Sequence, residues 1–292
     1  MKKETQSSDL HCSSSQSVCA LAKDNVDRVF WQAHRGGGSK DAPDNTMAAF
    51  LYTWNLGGIP EADIRTTKDG TIICLHDPTL ERTAIAPKDI LEAGVDTLTF
   101  EDIHKRDVGV KFKEEFKGER IPSLEEMFGK MKDDPERQVY LDIKDVDLEV
   151  LGQTIKKFAV EKQVLIASSH QSECATLKEI GKSLRAMIWI GGSSGEIRSK
   201  FAKVVSSRFA GVDQVQLHLK DREENSSFRY QLDPIFLKKT LQICRDANID
   251  LEVFPFEFDK DSLHALLDIG IRWFATDEPK RFNETLKEWQ LR

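Results

Sequence analysis

No run of apolar residues in this 292-residue chain approaches the roughly 20 that a membrane helix requires. The longest are short pieces such as 164–167 and 186–190, so no transmembrane segment is expected. A basic excess is missing too. With 42 Lys and Arg against 49 Asp and Glu, the net charge is -7, which argues against nucleic acid as a partner, because phosphate neutralisation needs surplus cations. Cysteine is sparse and scattered: Cys12, Cys19, Cys74, Cys174 and Cys244 form no C-x-x-C pair, which excludes the common zinc and redox motifs. Thiols are expected, with Cys74, Cys174 and Cys244 acting as small buried hydrophobes. The serine-rich head, residues 1–27, lacks the apolar stretch of a secretory signal and reads as a polar, flexible segment. As written, the chain is expected in the cytoplasm; it is expected outside it, secreted or periplasmic, if a signal peptide has been removed.

What is present is the balance of a soluble globular protein, 39% hydrophobic and 31% charged, which excludes a disordered or collagen-like chain. Short β-branched or aromatic runs alternate with stretches of helical period, the signature of parallel βα units. Eight strands are predicted, over 29–34, 58–65, 139–144, 164–168, 184–190, 212–217, 249–256 and 272–276. Helices are predicted over 46–56, after an Asp44-Asn45 cap signal, and over 148–160, 171–181, 194–208, 233–247, 260–269 and 279–291. This repetition predicts an α/β fold, a (β/α)₈ TIM barrel over 28–292 with a small insertion after strand two, at about 78–120. The interval after strand two also holds a hairpin arm at 71–75, and Ser123 and Glu126 have capping-box spacing before a further helix. The insertion is expected to overhang the carboxyl ends of the strands and to wall one side of a cleft.

Those carboxyl ends carry His34-Arg35, Glu61, Asp63, Asp142, Lys144, Ser168, His218, Glu257 and Asp277. In a strand, i and i+2 share a face, so Glu61 projects with Asp63 and Asp142 with Lys144. Three carboxylates on neighbouring strands make an oxygen-rich pocket suited to a hard divalent cation such as Mg²⁺ or Ca²⁺. Two histidines, His34 and His76, and two fixed cations, Arg35 and Lys144, complete a set suited to phosphoester cleavage. Cations neutralise phosphate oxygens, and imidazoles can divide acid and base roles near neutral pH.

The ordered motifs His34-Arg35-Gly36-Gly37, Ala42-Pro43-Asp44-Asn45-Thr46, Glu61-x-Asp63, Thr67-Lys68-Asp69-Gly70, His76-Asp77-Pro78-Thr79-Leu80-x-Arg82-Thr83 and Ile121-Pro122-Ser123-Leu124-Glu125-Glu126 resemble those of the glycerophosphodiester phosphodiesterases. The likeness continues through Leu141-Asp142-Ile143-Lys144 and Thr276-Asp277-x-Pro279, and covers about 29–283. The resemblance implies a TIM barrel with an insertion after strand two, and hydrolysis of a small-molecule glycerophosphodiester to an alcohol and glycerol 3-phosphate. It further implies a divalent ion, Mg²⁺ or Ca²⁺, held by Glu61, Asp63 and Asp142. Arg35 and Lys144 would grip phosphate, with His34 and His76 as catalytic acid and base in an order the sequence leaves open. Two departures stand out. The third carboxylate of the family is usually Glu, and Asp142 is one methylene shorter, so the ion is expected closer to strand three or with an added water. The family's Trp-Thr-Val-Asn-like segment is here Phe254-Pro255-Phe256-Glu257.

His218, Ser168 and Phe256 are candidates for the substrate's alcohol side. Gly191-Gly192-Ser193-Ser194-Gly195 reads as a turn and helix cap rather than a phosphate loop. Asp77 either orients His76 or starts the turn before Pro78. Phe100, Phe112 and Phe116, among lysines of the insertion, read as packed on the barrel rim, with a lipid-contacting lid as the other option. Competing functions are a phospholipase D-type enzyme acting on lysophospholipids or sphingolipids, and a non-catalytic phosphodiester-binding barrel.

Overall fold

The computed structural model describes residues 28–181, 183–222 and 227–292; the polar head at 1–27, with Cys12 and Cys19, lies outside them. Among the described residues nine strands form one sheet: β1 Phe30–Ala33, β2 Ile59–Thr66, β3 Ile72–Cys74, β4 Val139–Asp145, β5 Val164–Ser168, β6 Arg185–Ile190, β7 Gln214–Leu219, β8 Asp250–Pro255 and β9 Trp273–Thr276. Their order is β1-β9-β8-β7-β6-β5-β4-β2-β3, and an additional β1–β2 pairing closes the eight parallel strands into a barrel. The short β3 is the extra strand, antiparallel to the end of β2. The sixth predicted strand, expected over 212–217, begins two residues later and runs to Leu219 as β7.

Helices follow the strands and cover the barrel, because each has one apolar stripe. The caps are those that the sequence advertises. Ser123 and Glu126 form a capping box at the helix Leu124–Met131, and Pro234 opens the helix Pro234–Asp246 behind the cap Asp233. One cap differs from expectation: Thr46, not Asp44 or Asn45, caps the helix Met47–Asn55, its hydroxyl accepting from the Ala49 amide at 3.3 Å. Asp44 and Asn45 are thereby released for work at the barrel mouth.

Side-chain parity sorts the barrel interior from the layer under the helices. Phe30, Ile59, Tyr140, Leu165, Ala167, Met187 and Trp273 pack together inside, with the Phe30 and Trp273 rings stacked at 4.4 Å. The out-of-phase residues, such as Ala62, Ile64, Leu141 and Ile166, meet the helices. Cys74, Cys174 and Cys244 are free and buried, as expected of small hydrophobes.

Between β3 and Leu124 the chain makes short helical turns at Lys88–Glu92 and Phe100–His104. This excursion has an apolar cluster of its own, in which Leu80, Ala84, Val95 and Ile103 join Ile73 and Leu75. Phe112 and Phe116 are half-buried and meet edge to face. Among the described residues no helix is long and apolar enough to cross a membrane.

Candidate active site

At the carboxyl end of β1 the backbone doubles back. Arg35, Gly36 and Gly38 have φ of 53°, 85° and 62°. A Cβ on Gly36 would sit 2.6 Å from the Phe50 ring, and one on Gly38 only 2.3 Å from the Asp277 carbonyl oxygen, so this turn needs glycine at both places. The turn aims the Arg35 amide at β2, where it donates to Glu61 Oε2 at 2.7 Å. The Arg35 guanidinium is held by Asp44, Nη1 to Oδ2 at 3.0 Å, and its Nε lies 3.9 Å from Asp63 Oδ2.

Glu61 and Asp63, both buried, point inward from β2, and the parallel register sets Asp142 of β4 beside Asp63. One oxygen from each of the three lies within 4.8 Å of the others. Asn45, with a φ of 55° that asparagine tolerates, grips Asp63 twice. Its Nδ2 donates to Asp63 Oδ2 at 2.9 Å, and its Oδ1 accepts from the Asp63 amide at 3.0 Å. Lys144 Nζ lies 2.7 Å from Asp142 Oδ2 and 3.1 Å from Asp63 Oδ1. Trp189 Nε1 donates to Asp142 Oδ1 at 3.2 Å.

Packing three carboxylates this tightly is electrostatically costly. Burial, then the charges of Asp63 and Asp142, push the Glu61 carboxyl well above its ordinary range. Burial also raises Asp142, against the pull of Lys144. Asp63 is net lowered: burial alone would raise it, but Lys144, His76 and the Asn45 hydrogen bond outweigh that. Glu61 Oε1 is buried with no hydrogen-bond partner. An orphaned carboxylate oxygen amid like charges is the environment that a hard cation relieves, so the donor set fits a divalent ion.

Each histidine is buttressed on the same ring nitrogen. His34 Nδ1 lies 2.8 Å from Asp277 Oδ1, and His76 Nδ1 lies 2.8 Å from Asp77 Oδ1. Nε2 is therefore the nitrogen left to meet a substrate in both rings. Asp77 thus orients His76 as well as leading into the turn at Pro78.

Across the mouth stands an aromatic wall. Trp189 and His218 stack with centroids 5.4 Å apart at 3°, and His218 meets the rings of Phe254 and Phe256 edge-on at 5.6 and 5.2 Å. Burial lowers His218 to about 4, so it is neutral at pH 7. Its Nε2 lies 3.1 Å from Gln216 Oε1. Gln216 in turn belongs to a buried polar layer around Glu252, whose carboxylate accepts from Gln32 at 2.5 Å, Gln214 at 2.7 Å and Gln216 at 3.2 Å.

One cavity of about 250 Å³ is lined by His34, Arg35, Glu61, His76, Asp142, Lys144, His218 and Phe256, together with Trp189 and Phe254. Asp63 lies beneath it, in contact with Lys144. Ser168 is the exception among the expected residues. It follows the inward Ala167, so parity turns it outward; its hydroxyl donates to Glu173 and accepts from the His170 amide at 2.9 Å. Gly191–Gly195 is the predicted turn, with Ser193 capping the helix Ser194–Ser206. Sequence reasoning missed the roles of Asp277, Asn45 and Asp44, although all three stand in the quoted motifs. It also missed Trp189, whose signal is parity with Met187 on β6.

A family model described as the glycerophosphoryl diester phosphodiesterase family matches residues 34–281. A glycerophosphodiester phosphodiesterase of Caldanaerobacter subterraneus subsp. tengcongensis is 30% identical over 260 residues, covering 85% of this chain and 93% of that protein. Among solved structures, the glycerophosphodiester phosphodiesterase from Agrobacterium tumefaciens superposes with a TM-score of 0.67 at 19% identity, covering 88% of this chain and 99% of that one. An Oleispira antarctica phosphodiesterase, solved with the product sn-glycerol-3-phosphate, gives a TM-score of 0.66 at 16% identity, covering 88% and 96%. At these identities the two structures speak for the fold.

Proposed function

The chain belongs to the glycerophosphoryl diester phosphodiesterase family, whose members are phosphoric diester hydrolases, and we propose that it cleaves a small glycerophosphodiester to an alcohol and glycerol 3-phosphate. The observation that carries this reading is the convergence in one cavity of two carboxylate-buttressed imidazoles, an Arg/Lys pair and an acidic cluster. Glu61, Asp63 and Asp142 are the residues that would hold a divalent cation, Mg²⁺ or Ca²⁺, and such an ion supplies Lewis-acid charge to the phosphoryl oxygens.

Arg35 and Lys144 bind the phosphate. Their charges meet the extra negative charge that builds on phosphorus-bound oxygens as a nucleophile adds, and that charge is larger in the transition state than in the substrate. The nucleophile is an oxygen, either from water directly or from the adjacent glycerol hydroxyl, which would expel the alcohol to leave a cyclic phosphate that water then opens to glycerol 3-phosphate. One imidazole Nε2 takes its proton, while the other, protonated, donates to the departing alkoxide oxygen. Asp277 and Asp77 hold the two rings in the Nδ1–H tautomer that this division requires and stabilise whichever imidazole is charged. The aromatic wall of His218, Phe256 and their neighbours faces the alcohol.

The test is hydrolysis of glycerophosphocholine and glycerophosphoethanolamine by metal-stripped protein with Mg²⁺, Mn²⁺ or Ca²⁺ restored, beside His34→Ala and His76→Ala. Metal-restored turnover that both variants abolish is expected. A wild type that binds metal but turns over neither these diesters nor a lysophospholipid would instead be a binding barrel.

A further inference from the structure

Arg82 stands on the excursion rather than on the barrel, yet it reaches two carboxylates at the mouth. Its Nε donates to Asp77 Oδ2 at 2.5 Å and its Nη1 to Asp44 Oδ2 at 2.7 Å. Each of those carboxylates has a second partner in the cleft. Asp77 uses its other oxygen on His76 Nδ1 at 2.8 Å. The same Asp44 oxygen also accepts from Arg35 Nη1 at 3.0 Å. One planar guanidinium therefore sits midway in an unbroken path from His76 through Asp77, Arg82 and Asp44 to Arg35. Asp77 is held below its ordinary range, because its hydrogen bonds to His76 and Arg82 outweigh its partial burial.

The segment that presents Arg82 is anchored on both sides. Leu80 and Ala84 are buried in the excursion's apolar cluster, and the Ala84 amide donates to the Leu80 carbonyl at 2.9 Å. Lys111 Nζ ties down the same turn by bonding the Glu81 carbonyl. Arg82 is thus a preformed fork with a fixed base, the condition under which two hydrogen bonds transmit orientation and not merely charge.

Building on the catalytic reading of His76 and Arg35 given above, we propose that Arg82 is a positioning residue that sets the acid/base imidazole and the phosphate-binding guanidinium relative to each other. The excursion thereby acts on catalysis without touching substrate. An ordinary exposed ion pair would contribute little to stability, and Arg82, with a side chain 45% exposed, is no core element. Its effect falls on alignment, where an error of about 1 Å costs up to about a hundredfold in rate.

The experiment measures kcat, KM and the thermal midpoint of the metal-loaded full chain for Arg82→Ala and Arg82→Lys, alone and in double-mutant cycles. Arg82→Ala is expected to lower kcat by about ten- to a hundredfold with little change in midpoint. Arg82→Lys should recover only part of that loss, since one ammonium cannot fork to both carboxylates. In an Asp44→Ala/Asp77→Ala background Arg82→Ala should add nothing, whereas in Asp277→Asn, on the other histidine, its effect should multiply. An active wild type with unchanged kcat in Arg82→Ala overturns the proposal. So does a loss that tracks the fraction unfolded, or one that multiplies equally in both backgrounds. A wild type inactive on every diester would instead overturn the catalytic reading itself.

Discussion

Asp277 follows His34 by 243 positions, yet its Oδ1 lies 2.8 Å from the His34 ring. Closure of the barrel makes them neighbours: β9 pairs with β1 in register, Thr276 beside Ala33. The next residue on each strand is then Asp277 and His34. Because Asp277 accepts from Nδ1–H, Asp277→Asn should remove the negative charge and let an amide NH₂ donate to Nδ1, which favours the wrong tautomer. We expect kcat to fall about 10- to 100-fold, less than the 10²- to 10⁴-fold loss typical when the acid or base itself is removed, here by His34→Ala. Steady-state kinetics on both variants checks the order; an Asp277→Asn enzyme with wild-type kcat would refute it.

Metal should be felt as stability as well as rate. The buried Glu61 oxygen that lacks a hydrogen-bond partner would gain one if a divalent ion were held by the three carboxylates. At a hundredfold excess over Kd, a divalent ion should add about 2.7 kcal/mol, or several degrees in Tm. Chelation should reverse the gain, and Glu61→Gln should show almost none. A thermal scan with and without Mg²⁺ or Ca²⁺ reads this directly; equal shifts in wild type and variant would point to binding elsewhere.

Glu252 predicts a pH effect away from the metal cluster. Burial pushes its carboxyl up to about 7, against the hydrogen bonds of Gln32 and Gln216. The folded state therefore binds its proton more tightly than the unfolded chain. That stabilisation is full below the ordinary carboxylate range and is lost as pH rises through about 7, by roughly 3 kcal/mol in all. His218 acts with the opposite sign: its pKa, lowered to about 4 by burial, makes stability rise with pH up to its unfolded value near 6.5. In the wild type the two trends largely offset. Glu252→Gln should unmask the His218 rise, so the gap between wild type and variant in urea unfolding should change by about 3 kcal/mol between pH 4.5 and 7. Parallel stability curves would show that Glu252 does not titrate in this range.

The aromatic wall should read the alcohol. Phe256 is 38% exposed at the mouth and touches His218 edge-on. A quaternary ammonium over such rings gains about 0.5 to 2 kcal/mol. Phe256→Ala should therefore raise KM for glycerophosphocholine about 2- to 30-fold, while leaving glycerophosphoglycerol within about twofold. An equal rise for both substrates would mean that the ring shapes the cavity rather than selecting the head group.

The barrel was legible because its signals are local. Alternation along each strand, helix caps such as Ser123 and Asp233, and Pro234 at a first turn depend on residues a few positions apart. The i, i+2 rule put Glu61 with Asp63 and Asp142 with Lys144 correctly, since both pairs bound the same cluster. The same rule, applied to Ser168, would have turned it away, because Ala167 is the inward residue of β5. The Asp44-Asn45 pair misled for a physical reason: both residue types are good caps, and only the tertiary pull of Arg35, Arg82 and Asp63 assigns them elsewhere.

By itself the sequence determined the alternation of strands and helices, the order of its motifs and, through them, the family and the residue types at the strand ends. Tertiary structure decided which of these meet. Closure of the sheet joined His34 to Asp277, the β2–β4 register set Asp63 beside Asp142, and the excursion carried Arg82 to Asp77 and Asp44. Such pairings depend on contacts between residues far apart in the chain, whose energies arise only once packing has fixed the backbone, and no local pattern encodes them.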